Sequence, residues 1–147
     1  MRNNEINYIV DTLSNTSAFS ELGLKFTGYD YRKGSAILGE SFVLNFVNNN
    51  RSIQVIYYPQ VQESDFFIVN IVNLENMNTF NLDDWLKKHN LAERIDKFKL
   101  SSFQGEKVSQ VRSFSSYLSD VLLNKELSSM LKGESWETVP FDWMGMK

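Results

Sequence analysis

The stretch Glu40-Ser-Phe-Val-Leu-Asn-Phe-Val47, Asn48-Asn-Asn-Arg51, Ser52-Ile-Gln-Val-Ile-Tyr-Tyr58 decides the fold. In its first part Phe42, Leu44 and Phe46 fall on alternate positions, the two-residue period of a pleated strand. In its last part Ile53, Val55 and Tyr57 take one face, and Gln54, Ile56 and Tyr58 take the other. The asparagines between them tolerate positive φ better than other side-chain-bearing residues, so the chain turns back on itself as a hairpin. Pro59 is expected to end the later strand, because it has no N–H to give to a ladder.

Working outward, the polar loop Gln60 to Ser64 leads into a further strand from Phe66 to Leu74. Upstream, Leu24 to Arg32 reads as extended, with Tyr29 and Tyr31 two apart and glycines 28, 34 and 39 marking bends. Short β-to-β connections imply antiparallel pairing. Residues 4–21 place Ile6, Ile9, Val10 and Leu13 on one helical face, and Gly23 supplies a left-handed stop. A second helix begins at Leu82, with Asn81 as its cap, Asp83 and Asp84 in its first turn, and Phe80 placed to staple onto Trp85. It is expected to end near Asn90, with a short helical piece around 91–98. Beyond Gly105, Val108, Val111, Phe114, Leu118, Val121, Leu122, Leu127 and Leu131 recur at helical spacing. Asn124 is a candidate restart that would make this one helix or two. The expected fold is α+β: an N-terminal helix, a four-stranded antiparallel meander, then C-terminal helices packed on one sheet face. The 147 residues suit a single domain, with residues 134–147 as an aromatic tail.

Composition narrows the chemistry. The chain has no cysteine and one histidine, His89, so disulfides, thiolate metal sites, cysteine nucleophiles and paired imidazoles are excluded. A net charge of −3 is too mild to signal nucleic-acid binding. Lys87, Lys88, Arg94, Lys97, Lys99, Lys107 and Arg112 outnumber Glu93, Asp96 and Glu106 locally, but this interleaving is that of a solvated helix face. There is no signal-peptide pattern and no apolar run of the ~20 residues a membrane span needs, so no membrane association is expected and the expected location is cytoplasmic. No serine lies in a nucleophile-elbow turn, and no glycine pattern cradles a phosphate. Capping explains Asp83 and Asp84, Glu63 and Asp65 read as solvating charges beside a loop, and His89 suits a helix C-terminal turn. No catalytic residue, cofactor or metal ligand is singled out.

The sheet is more informative. The face carrying Phe42, Leu44, Phe46, Ile53, Val55, Tyr57, Phe67, Val69 and Ile71 is core. The opposite face is also largely apolar, through Val43, Val47, Ile56, Tyr58, Phe66, Ile68 and Val72, diluted by Asn45, Gln54 and Asn70. Ile56, Tyr58, Phe66 and Ile68 therefore form a candidate protein-binding patch, and Trp136, Phe141 and Trp143 of the tail are either its cover or a second docking surface.

In layout the chain resembles the immunity-type proteins of bacterial toxin systems. The residues that carry the likeness are Phe42–Tyr58 with the Asn-Asn-Asn-Arg hairpin, Leu131-Lys-Gly-Glu-Ser-Trp136, and Pro140-Phe-Asp-Trp143. The resemblance implies a cytoplasmic inhibitor that blocks a toxin or other partner protein sterically. It assigns no functional residue, and −3 is less acidic than inhibitors of nucleases commonly are. The expected function is therefore non-catalytic protein binding, with self-association as another use of the same surfaces. The alternative is a small enzyme or ligand-binding domain using carboxylates and tyrosines in a cleft between sheet and helices.

Overall fold

A computed structural model describes residues 3–34, 39–61, 64–91 and 98–139. The architecture is α+β, with an antiparallel sheet between N-terminal and C-terminal helices in the sequence. The sheet contains β1 (Lys25–Arg32), β2 (Ser41–Val47), β3 (Arg51–Val61), β4 (Ser64–Asn73) and β5 (Thr79–Asn81), in spatial order β1-β2-β3-β4-β5. It thus has five strands where the alternation predicted four. The fifth is three residues long, too short to show a period, and lies immediately before a helix cap.

The central register matches the hydrophobic pattern. Leu44 faces Val55 and Val55 faces Val69, while Phe46, Ile53 and Ile71 line up across the same strands. Pro59 does not end β3, which runs on to Val61. The pairing shifts register between Tyr58 and Val61, and such an irregularity is where a strand accommodates a residue without an N–H.

The first helical stretch is two helices, α1 (Asn3–Ser14) and α2 (Ser17–Glu21). Thr16 interrupts them because its side chain caps α2, accepting a hydrogen bond from the Phe19 N–H. Helix α3 (Leu82–Lys88) starts at the Asn81 cap, whose Oδ1 accepts from the Asp83 N–H at 2.8 Å. It stops two residues before Asn90, which adopts a left-handed φ of 61°. The ring beside Phe80 is that of Trp136, at 5.2 Å, while Trp85 stacks on His89 at 4.3 Å. Most of the segment expected as a short helix, 92–97, lies outside the described residues; Leu100–Ser102 forms a single 3₁₀ turn. Asn124 does restart the chain. It caps α5 (Lys125–Leu131) after α4 (Lys107–Leu122) by accepting from the N–H groups of Glu126 and Leu127.

Side chains from all five helices meet the Phe42–Ile71 face of the sheet in one apolar core. Phe67 stacks on Phe114 of α4 at 4.2 Å, and Phe19 of α2 meets Phe46 edge-on at 4.8 Å. Phe42, Leu44, Phe46, Val55, Val69, Ile71, Leu118 and Val121 all belong to it. Among the described residues no helix is long and apolar enough to cross a membrane.

Candidate functional site

Pairing across β3 and β4 brings four of the expected binding residues together. Ile56 lies opposite Ile68, and Tyr58 opposite Phe66, on the face turned away from the helix-side core. Ile56 is buried along with Val43 and Val72, while Tyr58, Phe66 and Ile68 are half-buried. That face is less open than alternation alone implies. Trp136 is elsewhere. Its indole sits against Phe80, and the Arg51 guanidinium lies 5.1 Å from its ring centroid, on the helix side of the sheet. Phe141 and Trp143 lie outside the described residues.

Among the described residues the most exposed aromatic row is on β1. Lys25, Gly28, Asp30 and Arg32 pair with Val47, Asn45, Val43 and Ser41, so they share the outer face of the sheet. Phe26, Tyr29 and Tyr31 pair with Phe46, Leu44 and Phe42, so they extend the core face. The helices cover that extension only in part: Phe26, Tyr29 and Tyr31 are 37%, 40% and 55% exposed. Their rings lean on the buried rim, Phe26 on Phe46 at 5.5 Å and Tyr31 on Phe42 at 5.2 Å. The Tyr31 hydroxyl donates to Glu40 at 3.0 Å, a bond that raises its pKa above the ordinary phenol value. β1 is also an edge strand. Among the described residues nothing pairs with its other side. The sequence showed Tyr29 and Tyr31, but not that their face would outrun the helices.

Three polar clusters lie among the described residues around the core. Asn48 uses its whole amide: Oδ1 accepts from the N–H groups of Asn50 and Arg51, and Nδ2 donates to the carbonyls of Leu22 and Leu131 at 2.9 Å each. Arg51, 2% exposed, donates to the carbonyls of Met130, Asn50 and Ser135 and to Asn73 Oδ1 at 2.7–3.0 Å. The hairpin that carries much of the layout resemblance therefore clamps the ends of α2 and α5.

At the opposite end of the core face, the Tyr57 hydroxyl lies 2.7 Å from Glu5 Oε1 and 2.7 Å from Asp65 Oδ2. Lys107 bridges both carboxylates, at 2.9 Å from Asp65. Burial, then the bonds to Asp65 and Glu5, raise the Tyr57 pKa far above a normal phenol. Burial disfavours charge on Lys107, but its bonds to Glu5 and Asp65 outweigh that and leave its pKa raised. Asp65 is thus buried in a network rather than solvated beside a loop.

The third cluster surrounds the lone histidine. His89 Nε2 lies 2.9 and 3.0 Å from the two Glu137 oxygens, and Nδ1 lies 3.4 Å from Glu126 Oε2. Trp85 Nε1–H donates to Glu137 at 3.2 Å, and Lys88 reaches it at 2.6 Å. Burial pushes the Glu137 carboxyl up, but hydrogen bonds from Lys88 and His89 prevail and hold it below the usual range. A nitrogen and two carboxylates are a ligand set for a divalent cation. Here, however, the imidazole lies between the two carboxylates and Lys88 already neutralises Glu137, the arrangement of an ion-pair network. The adjoining cleft of about 450 Å³ is lined by Glu126, Ser129, Trp136 and Glu137 among others. Sequence spacing could not reveal this cluster, because its members come from α3, α5 and the segment after α5.

No family model matches the chain, and neither a curated protein nor a solved structure matches it.

Proposed function

We propose that the protein acts by binding another protein, as a non-catalytic, immunity-like inhibitor that covers its target, and that β1 is where it binds. The observation that carries this reading is the row Phe26, Tyr29 and Tyr31, exposed on an eight-residue edge strand. Exposed edges invite pairing with another chain, and tyrosine is among the residues that most often anchor interfaces. A toxin-type target is the partner that the layout resemblance implies.

The test is a photo-crosslinking scan in the source cells, with a photoreactive residue placed in turn at Tyr31, at Tyr58 and at the exposed Arg112 of α4. The expected result is one dominant adduct from Tyr31, absent from Arg112. An adduct from Arg112 or Tyr58 with none from Tyr31 would move the site off β1.

A second reading, an enzyme, is favoured by one observation: Tyr57, Glu5, Asp65 and Lys107 converge within hydrogen-bonding distance. It ranks below the first because Tyr57 and Asp65 are buried and Lys107 already compensates both carboxylates.

A further inference from the structure

β1 presents a residue pattern as well as an edge. From Gly28 to Arg32 its pairing with β2 runs without a register shift; Tyr29 to Arg32 form a regular pleated template, and Gly28, at a φ of 143° beside the shift at Phe26/Gly28, marks its end. Tyr29 and Tyr31 point to the helix side, and Gly28, Asp30 and Arg32 point to the outer face. Neither Asp30 nor Arg32 has an ion-pair partner among the described residues. At Gly28 the space a Cβ would occupy is open, with no atom within 4 Å.

Residues directly opposite one another on antiparallel strands interact; opposite charges attract and like charges repel. A large ring commonly fills the gap above an edge glycine. We propose that β1 accepts an extended segment of a partner protein as a sixth, antiparallel strand. Its side chains would be acidic opposite Arg32, apolar opposite Tyr31, basic opposite Asp30, apolar opposite Tyr29 and aromatic opposite Gly28. Antiparallel addition continues the sheet as it stands, and the two charges choose the register. A one-residue slip would put each charge opposite a tyrosine and turn every side chain to the wrong face. A second copy of β1 does not supply the whole pattern: centred on Asp30 it sets Asp30 against Asp30, and centred on Tyr31 it matches both charges but sets Lys33 against Tyr29 and Gly34 against Gly28. This inference rests on the reading of β1 as the binding strand.

The probe is a cyclic hairpin peptide displaying Glu-Val-Lys-Val-Phe on its free edge, compared with the charge-reversed Lys-Val-Glu-Val-Phe. Cyclisation removes most of the ordering cost that would hide a strand this short. In amide NMR titrations of the full chain, the first peptide should shift β1 resonances saturably. The reversed peptide should bind roughly tenfold more weakly, two cross-strand charge pairs having changed sign. Exchanging the charges of β1, Asp30→Arg together with Arg32→Asp, should invert that preference. Both positions are exposed, so the variant keeps its core, and its amide spectrum shows whether it does. N-methylation of a peptide amide that faces β1 should abolish binding. No β1 shift at the solubility limit, equal response to both peptides, or no inversion in the exchanged variant would each overturn strand addition. If crosslinks still form at Tyr31 in that case, protein binding stands and only its mode is wrong; if they are also absent, both fall.

Discussion

Replacing Arg51 by Met should loosen the junction of the β2–β3 hairpin with the end of α5. Four charge-assisted hydrogen bonds at roughly 1.5–3 kcal/mol each would sum to at least about 6 kcal/mol. That sum overshoots, for two reasons visible in the geometry. Burying a guanidinium costs several kcal/mol, which the wild type bears and the Met variant does not. In addition, three of the four acceptors keep another donor: Met130 O from Gly133, Asn50 O from Leu74, and Asn73 Oδ1 from Glu75. Among the described residues only Ser135 O is left without another donor, and Ser135 is exposed enough for water to take over. The stacking on Trp136 and the favourable charge at the C-terminus of α5 are lost as well. The net cost is about 2–4 kcal/mol, or roughly 5–15 °C in Tm for a chain of this length. Urea denaturation followed by tryptophan fluorescence suits the measurement, since Trp136 reports on the lost contact directly. Arg51→Lys should recover less than half of the loss, because an ammonium cannot span carbonyls from three segments. A Met variant within about 0.5 kcal/mol of wild type would refute the clamp.

Further outcomes follow from the other polar groups. Tyr57→Phe removes the hydroxyl shared by Glu5 and Asp65 and should cost about 1–3 kcal/mol by chemical denaturation; an unchanged midpoint would show the network contributes nothing. Asn81→Ala should cost about 0.5–2 kcal/mol through the lost cap and leave partner crosslinking intact. Burial raises the Asp83 carboxyl to about 6, with Lys87 lowering it and Asp84 raising it. A carboxyl raised above its unfolded value of 3.8 favours the fold while protonated, so its penalty develops as pH climbs from about 4 to about 6 and is complete above. Asp83→Asn should therefore raise the denaturation midpoint at pH 7.5 and leave it unchanged at pH 3.5; equal effects at both pH values would contradict the assignment.

The central sheet was legible because β2, β3 and β4 alternate with a period of two, and a slip of one residue would bury Asn45, Gln54 and Asn70 instead of Leu44, Val55 and Val69. Asn81 and Asn124 were legible as caps because capping is local. What failed to show had no local signature. β5 is shorter than one period, and the break at Thr16 looks in sequence like a polar residue inside a helix. Trp136 packs on the helix side and does not cover the Tyr58–Phe66 face, which the sequence could not show because aperiodic segments carry no face information; its position is fixed by Arg51 and Phe80, 85 and 56 residues away in sequence. The Asn48-Asn-Asn-Arg51 run was legible as a turn but not as a clamp, since its partners lie in α2, α5 and the segment after α5. The exposure of Phe26, Tyr29 and Tyr31 likewise depends on how far the helices reach across the sheet, a tertiary property.

Hydrogen exchange on the complex with the crosslinked partner tests the central claim most directly. Strand addition to β1 would slow exchange of its outward-facing amides between Lys25 and Arg32, while amides of α4 on the far side of the core exchange as in the free protein. Protection confined to the helices, or to the Tyr58–Phe66 face, with β1 still exchanging as an open edge, would contradict it.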